Sequence, residues 1–176
     1  MEVLFSEILS LAIAQRPALA EAIGFSGTEA RRDARGVPSE IAPLYRVASG
    51  TPRGIADQSV MDIVPGFRLI HQAELPTETA SFRDAYPALG TLYPFLADYS
   101  SCYYAVDSAD GTVLKVDVEF GATPISQNLE QFLKTVLVFY RQGVYFLDSD
   151  GYLDYDENME GKIGAALNQG YAYWTG

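Results

Sequence analysis

Ser100, Ser101 and Cys102 stand side by side, and His71 is the only imidazole in the chain. These are the residues that could attempt nucleophilic catalysis. A hydroxyl or thiol attacks well only when a base takes its proton, and that base needs a third group to orient it. His71 would therefore have to fold back beside residues 100–102. No Gly-x-Ser-x-Gly elbow accompanies them. The plainer expectation is that His71 ends a strand and that Cys102 is a small buried hydrophobe. No catalytic residue is assigned, and the chain is expected not to be an enzyme.

The acidic run Asp148, Asp150, Asp154, Asp156, Glu157 and Glu160 raises the question of calcium. An EF-hand loop needs glycine at its sixth position and glutamate at its twelfth. Counting from Asp148 gives Leu153 and Met159, and counting from Asp154 gives Met159 and Ala165, so both registers fail. A solvated turn leading into a helix N-terminus accounts for the same charges. One histidine and one cysteine cannot make a zinc set. Gly50 and Gly54 stand without the Lys-Ser/Thr of a phosphate loop. No cofactor and no metal are expected.

The charge distribution says more about partners. The formal net charge is −11; residues 89–176 carry 12 acidic against 4 basic side chains, and residues 1–88 carry 11 against 8. Such a field repels a phosphate backbone and attracts basic proteins. The basic cluster Arg31, Arg32 and Arg35 reads as a solvated loop or helical turn balanced by Glu29 and Asp33. The single cysteine excludes an intrachain disulfide. No apolar run reaches the ~18 residues of a membrane span, and Glu2 and Glu7 replace the positive start of a signal peptide. The chain is expected to be cytoplasmic, with neither nucleic acid nor membrane as partner.

The elements that must position these residues follow from periodicity. Leu4, Ile8, Leu11 and Ala12 share one face of a helix over Val3 to Gln15. Pro17 either interrupts that helix or starts a second, closed by Gly24. Ile41, Leu44, Tyr45 and Ala48 share a helical face that Gly50 ends. Phe67 to His71 reads as a short strand, and Phe82 to Tyr86 as a helical turn. Strand patterns span Thr91 to Asp98 and Cys102 to Asp107, with an Asp-Gly turn after them. From Val113 to Phe120, Leu114, Val116, Val118 and Phe120 alternate with Lys115, Asp117 and Glu119, which predicts one buried and one wet face. Asn128 and Gln131 frame the start of the clearest helix, whose stripe is Leu129, Phe132, Leu133, Val136, Leu137 and Tyr140; Gly143 caps its end. The tail reads as a small hairpin, or an ordered loop, around Asp148-Ser-Asp-Gly151. A helix over Asp156 to Leu167 follows, with Met159, Ile163, Ala166 and Leu167 on one face. Gly161 and Gly164 each weaken it by ~1 kcal/mol relative to alanine, so docking must hold it. Trp174 and its tyrosine neighbours are expected to pack this terminus onto the body.

In this order the pieces resemble the SUKH superfamily, the Smi/Knr-type domain. Val37-Pro38, Ile41, Leu44-Tyr45 and Ser49-Gly50 resemble the family's LPxxYxxLxxxxNG helix. Ile125-Ser126, Leu129 and Phe132-Leu133 resemble its A-x-S-F-x-x-F-L entry to the last helix. The histidine often found after the last family strand is absent near Val118. The likeness covers about residues 37 to 142. It leaves 1–36 as a helical N-terminal extension and 143–176 as a C-terminal hairpin and helix, all within one domain of 1–176. The expected fold is α+β: a mostly antiparallel sheet of about four to six strands packed by N-terminal, central and C-terminal helices.

What the resemblance implies is a binding protein, since many bacterial members are thought to be immunity proteins that neutralise polymorphic toxins. Acidity and twelve tyrosines favour protein contact independently. The contact surface is expected at Lys115, Asp117 and Glu119 on the open sheet face, with Asp148, Asp150 and Asp154 of the tail turn. The alternative is a regulatory or small-ligand module of the same fold, with a pocket at Tyr93, Tyr103 and Tyr104.

Overall fold

Five strands run as an antiparallel meander: β1 (Arg68–Leu69), β2 (Leu92–Ala97), β3 (Tyr103–Asp107), β4 (Val113–Asp117) and β5 (Gly121–Ser126) lie in sheet order β1-β2-β3-β4-β5. The structure, a computed structural model, describes residues 1–27 and 32–175. The fold is α+β, as expected. Arg31 and Glu29 of the basic cluster lie outside the described residues.

Tyr103 and Tyr104 show how the sheet is covered. They are consecutive in β3, so their rings leave opposite faces. Tyr104 meets Phe132 of α5 (Leu129–Arg141), with ring centroids 5.5 Å apart. Tyr103 meets Phe82 of α4 (Leu75–Ala85) edge-on at 5.2 Å. A sheet with one wet face was expected; around β3 both faces are closed, by α5 on one side and α4 on the other. Helix α4 is longer than the turn expected over Phe82 to Tyr86. Its first residues are polar apart from Leu75 and Pro76, which hides its apolar spacing.

The terminal extensions belong to the same core. Phe5, Ile8, Leu9 and Ala12 of α1 (Glu2–Gln15) are buried in one cluster with Val136 and Leu137 of α5. Leu19 and Ile23 of α2 (Leu19–Ile23) join it, and Gly24 closes that helix at φ +69°. Residues 41–48, apart from exposed Arg46, are buried where a helix was expected, but only α3 (Ala42–Tyr45) is α-helical. Pro43 has no N–H for the Ser39 carbonyl, so the helical ladder does not extend back through it.

Gly50 follows that segment at φ +84°, and a β-carbon on it would lie 2.3 Å from the Ile70 carbonyl oxygen. Only glycine allows the two backbones this approach. There Thr51 bridges Ile70, and Gln72 N donates to Ser49 O at 2.7 Å, sealing the β1 margin of the sheet. Beside it the buried Arg68 donates to Glu78 and to Glu74, each at 2.8 Å, and to Thr51 O at 2.7 Å.

The C-terminal part follows the sequence closely. Asn128 Oδ1 accepts from Gln131 N at 2.8 Å, and Gly143 adopts φ +69°. A second sheet pairs β6 (Tyr145–Leu147) with β7 (Leu153–Tyr155) across the turn at Asp148–Gly151. Helix α6 (Glu157–Leu167) is capped by Asp156, whose Oδ1 accepts from Met159 N at 2.9 Å. The apolar face expected at Met159, Ile163, Ala166 and Leu167 is not the docked one: Met159 and Leu167 are exposed, and Gly164 is buried. Trp174 occupies that position, and its Nε1 donates to Ile125 O at 2.8 Å on the outer strand β5.

Candidate functional site

The register of β4 decides where the functional side chains lie. Lys115 pairs with Tyr104, on the face that α5 covers. Its Nζ lies 3.4 Å from the Tyr173 hydroxyl, 5.4 Å from the Tyr173 ring centroid and 6.0 Å from that of Phe67. The residue is half-buried under the C-terminal segment, so it leaves the expected contact surface. A lysine stem packs well on aromatic faces while its head keeps a polar partner.

The alternation read through to Phe120 stops at Asp117. Asp117 Oδ1 accepts from Glu119 N at 3.0 Å and Phe120 N at 2.6 Å, closing a turn that Gly121 completes at φ +73°. Val118 and Phe120, expected in the core, are 74% and 76% exposed. The strand β5 that follows was not anticipated at all. The signal that could have found it was the Asp-to-Gly spacing of residues 117–121, since a short carboxylate bonding backbone N–H groups two and three residues on is a turn device.

The β2–β3 loop lies at the same end of the meander. Asp98 Oδ1 holds it by accepting from Ser100 N at 2.7 Å and Cys102 N at 2.8 Å, and Ser101 sits at φ +65°. Tyr86 donates to Ser101 O, and Tyr99 donates to Arg53 O, each at 2.8 Å. Burial, and then the carboxylates of Asp98 and Asp117, push the Cys102 thiol up. That environment disfavours a thiolate. The end of the sheet thus presents Val118, Phe120 and half-exposed Tyr99 among Asp98, Asp117 and Glu119.

His71 is elsewhere. Ile70 N bonds Phe95 O, whereas Asp98 N bonds Cys102 O, so His71 and Cys102 are separated by roughly four strand residues, or ~13 Å. The structure does not bring the histidine to residues 100–102. The tyrosines named for a pocket do not converge either, because Tyr103 and Tyr104 leave opposite faces and Tyr93 is half-buried in β2.

The tail carboxylates form a second acidic turn. Asp148 Oδ1 accepts from Asp150 N at 2.9 Å and Tyr152 N at 2.8 Å, and Asp154 accepts from Tyr155 N at 2.8 Å. This hairpin packs on α5. Among the described residues, no group of three His, Cys, Asp or Glu side chains is placed to hold a metal ion. No described helix is long and apolar enough to cross a membrane. No family model matches the chain, and no curated protein matches it.

Proposed function

We propose that this chain is a non-catalytic, intracellular protein-binding domain of the immunity type, which covers the active surface of a basic toxin domain. The observation that carries this reading is the sheet end, where Val118 and Phe120 stand in solvent amid Asp98, Asp117 and Glu119. Exposed apolar side chains inside a rim of like charge suit a partner with the opposite rim. The net charge of −11 and the resemblance of residues 37–142 to the SUKH superfamily support the same reading. Asp148 and Asp150 on the second acidic turn would add long-range attraction rather than direct anchorage.

The test is association with the product of a neighbouring toxin-like reading frame, measured at low and high ionic strength. Binding is expected to be fast and to slow as salt rises, and Phe120→Ser is expected to weaken it at least about tenfold. Absence of binding at both ionic strengths would overturn the proposal.

A further inference from the structure

In a chain of net charge −11, one cleft is lined by two arginines, the sole histidine and a buried serine. Its volume is about 440 Å³, and its walls include Arg32, Arg35, Val37, Ser49, His71 and Leu75. The backbone crossing at Gly50 and Ile70 builds its floor, because it sets Ser49 beside the end of β1. The loop carrying the arginines is pinned above it. Arg32 N donates to Arg46 O at 2.8 Å, and Gln72 Nε2 donates to Asp33 O at 3.1 Å.

Four side chains that line this cleft carry donors. His71 Nδ1 accepts from Ala73 N at 3.3 Å, which leaves the ring proton on Nε2. Ser49 is 7% exposed, lines the cleft, and its hydroxyl makes no hydrogen bond among the described residues. Arg35 Nε is held by Asp33, while its two Nη groups make no hydrogen bond among the described residues. Arg32 uses Nη1 on Gly24 O at 3.2 Å, which leaves Nη2. Asp33 is the carboxylate beside them, and its pairing with Arg35 neutralises one of the two guanidinium charges. A buried hydroxyl, a fixed imidazole N–H and two guanidinium groups together match an oxyanion with several acceptor oxygens. The volume lies within the range of small-molecule sites and exceeds what an inorganic ion fills, and Val37 and Leu75 supply an apolar wall.

We propose that this cleft binds a small organic phosphomonoester, its phosphoryl oxygens held by Arg32, Arg35, Ser49 and His71 Nε2–H and its organic body resting on Val37 and Leu75. The site is independent of the protein-binding surface, and failure of one leaves the other standing. Because the chain has one histidine, its imidazole resonances report the site without assignment ambiguity. The full chain is titrated by NMR at low ionic strength with phenyl phosphate, inorganic phosphate and benzoate. Phenyl phosphate is expected to shift the imidazole signals saturably, with inorganic phosphate and benzoate each at least about tenfold weaker. Arg35→Ala is expected to weaken phenyl phosphate about tenfold, whereas Arg83→Ala, on the last turn of α4, leaves it unchanged. Absence of a saturable shift, benzoate binding as well as phenyl phosphate, or equal losses in the two arginine variants would each overturn the proposal.

Discussion

Trp174 lies directly over Gly164: a β-carbon on that glycine would come within 2.2 Å of the indole Cε3. Helix propensity alone ranks alanine ~1 kcal/mol better than glycine at such a position. The packing reverses that ranking. Gly164→Ala is expected to destabilise the protein by about 1–3 kcal/mol and to move the indole out of its seat. Since Trp174 is the only tryptophan, a red-shifted fluorescence spectrum together with a lowered melting temperature checks both effects. An alanine variant that melts higher, with an unchanged spectrum, would refute this account.

Arg68 is 1% exposed and depends on Glu78 and Glu74 for its charge balance. Removing one partner leaves part of a buried charge uncompensated, which is expensive. Glu78→Ala is expected to cost about 3 kcal/mol in denaturant unfolding. Arg68→Met combined with Glu78→Leu is expected to cost less than Glu78→Ala alone, because both buried charges go together and Glu74, which is partly exposed, keeps the Arg53 N–H.

Two acids oppose the fold when ionised. Burial raises Glu160 from 4.5 to about 7, although the Tyr145 hydroxyl at 3.4 Å and the nearby Lys115 pull the other way and Glu157 adds to the rise. Burial likewise raises Asp62 from 3.8 to about 6, against Gly66 N and the charges of Arg16 and Arg68. In both cases the folded chain holds a proton that the unfolded chain releases. Their contribution is therefore most favourable below about pH 4, falls as pH rises, and is lost above about pH 7. Glu160→Gln is expected to be more stable than the parent by about 1–2 kcal/mol at pH 8 and equal to it at pH 4. Melting curves at the two pH values decide this, and a gain confined to pH 4 would show the sign to be wrong.

Val118→Ser and Phe120→Ser touch side chains that stand in solvent. Stability is expected to change by no more than ~0.5 kcal/mol, while partner binding falls. A large loss of stability in either variant would place these residues in a core after all.

Long-period signals in the sequence carried through to the structure. The helix α5, its Asn128 cap and its Gly143 end follow from spacing and cap chemistry alone, as does the Asp156 start of α6. The alternation past Asp117 failed because a turn of exposed residues can imitate a strand for one more period; only the carboxylate bonds of Asp117 distinguish them. The covered state of Lys115 depends on Tyr173, far along the chain, which no local pattern encodes. The cleft escaped notice for the same reason. Ser49 and His71 come to line one cleft with Arg32 because Gly50 lets two backbone segments cross closely.

The outer strand β5 has consequences of its own. Pro124 there offers no N–H, and Trp174 occupies the neighbouring carbonyl of Ile125. On the other margin the Thr51 bridge covers Ile70. At these two positions a visiting polypeptide finds the backbone already engaged, which discourages strand addition there. The tips of the short connecting turns, by contrast, carry side chains that can change without disturbing the scaffold beneath.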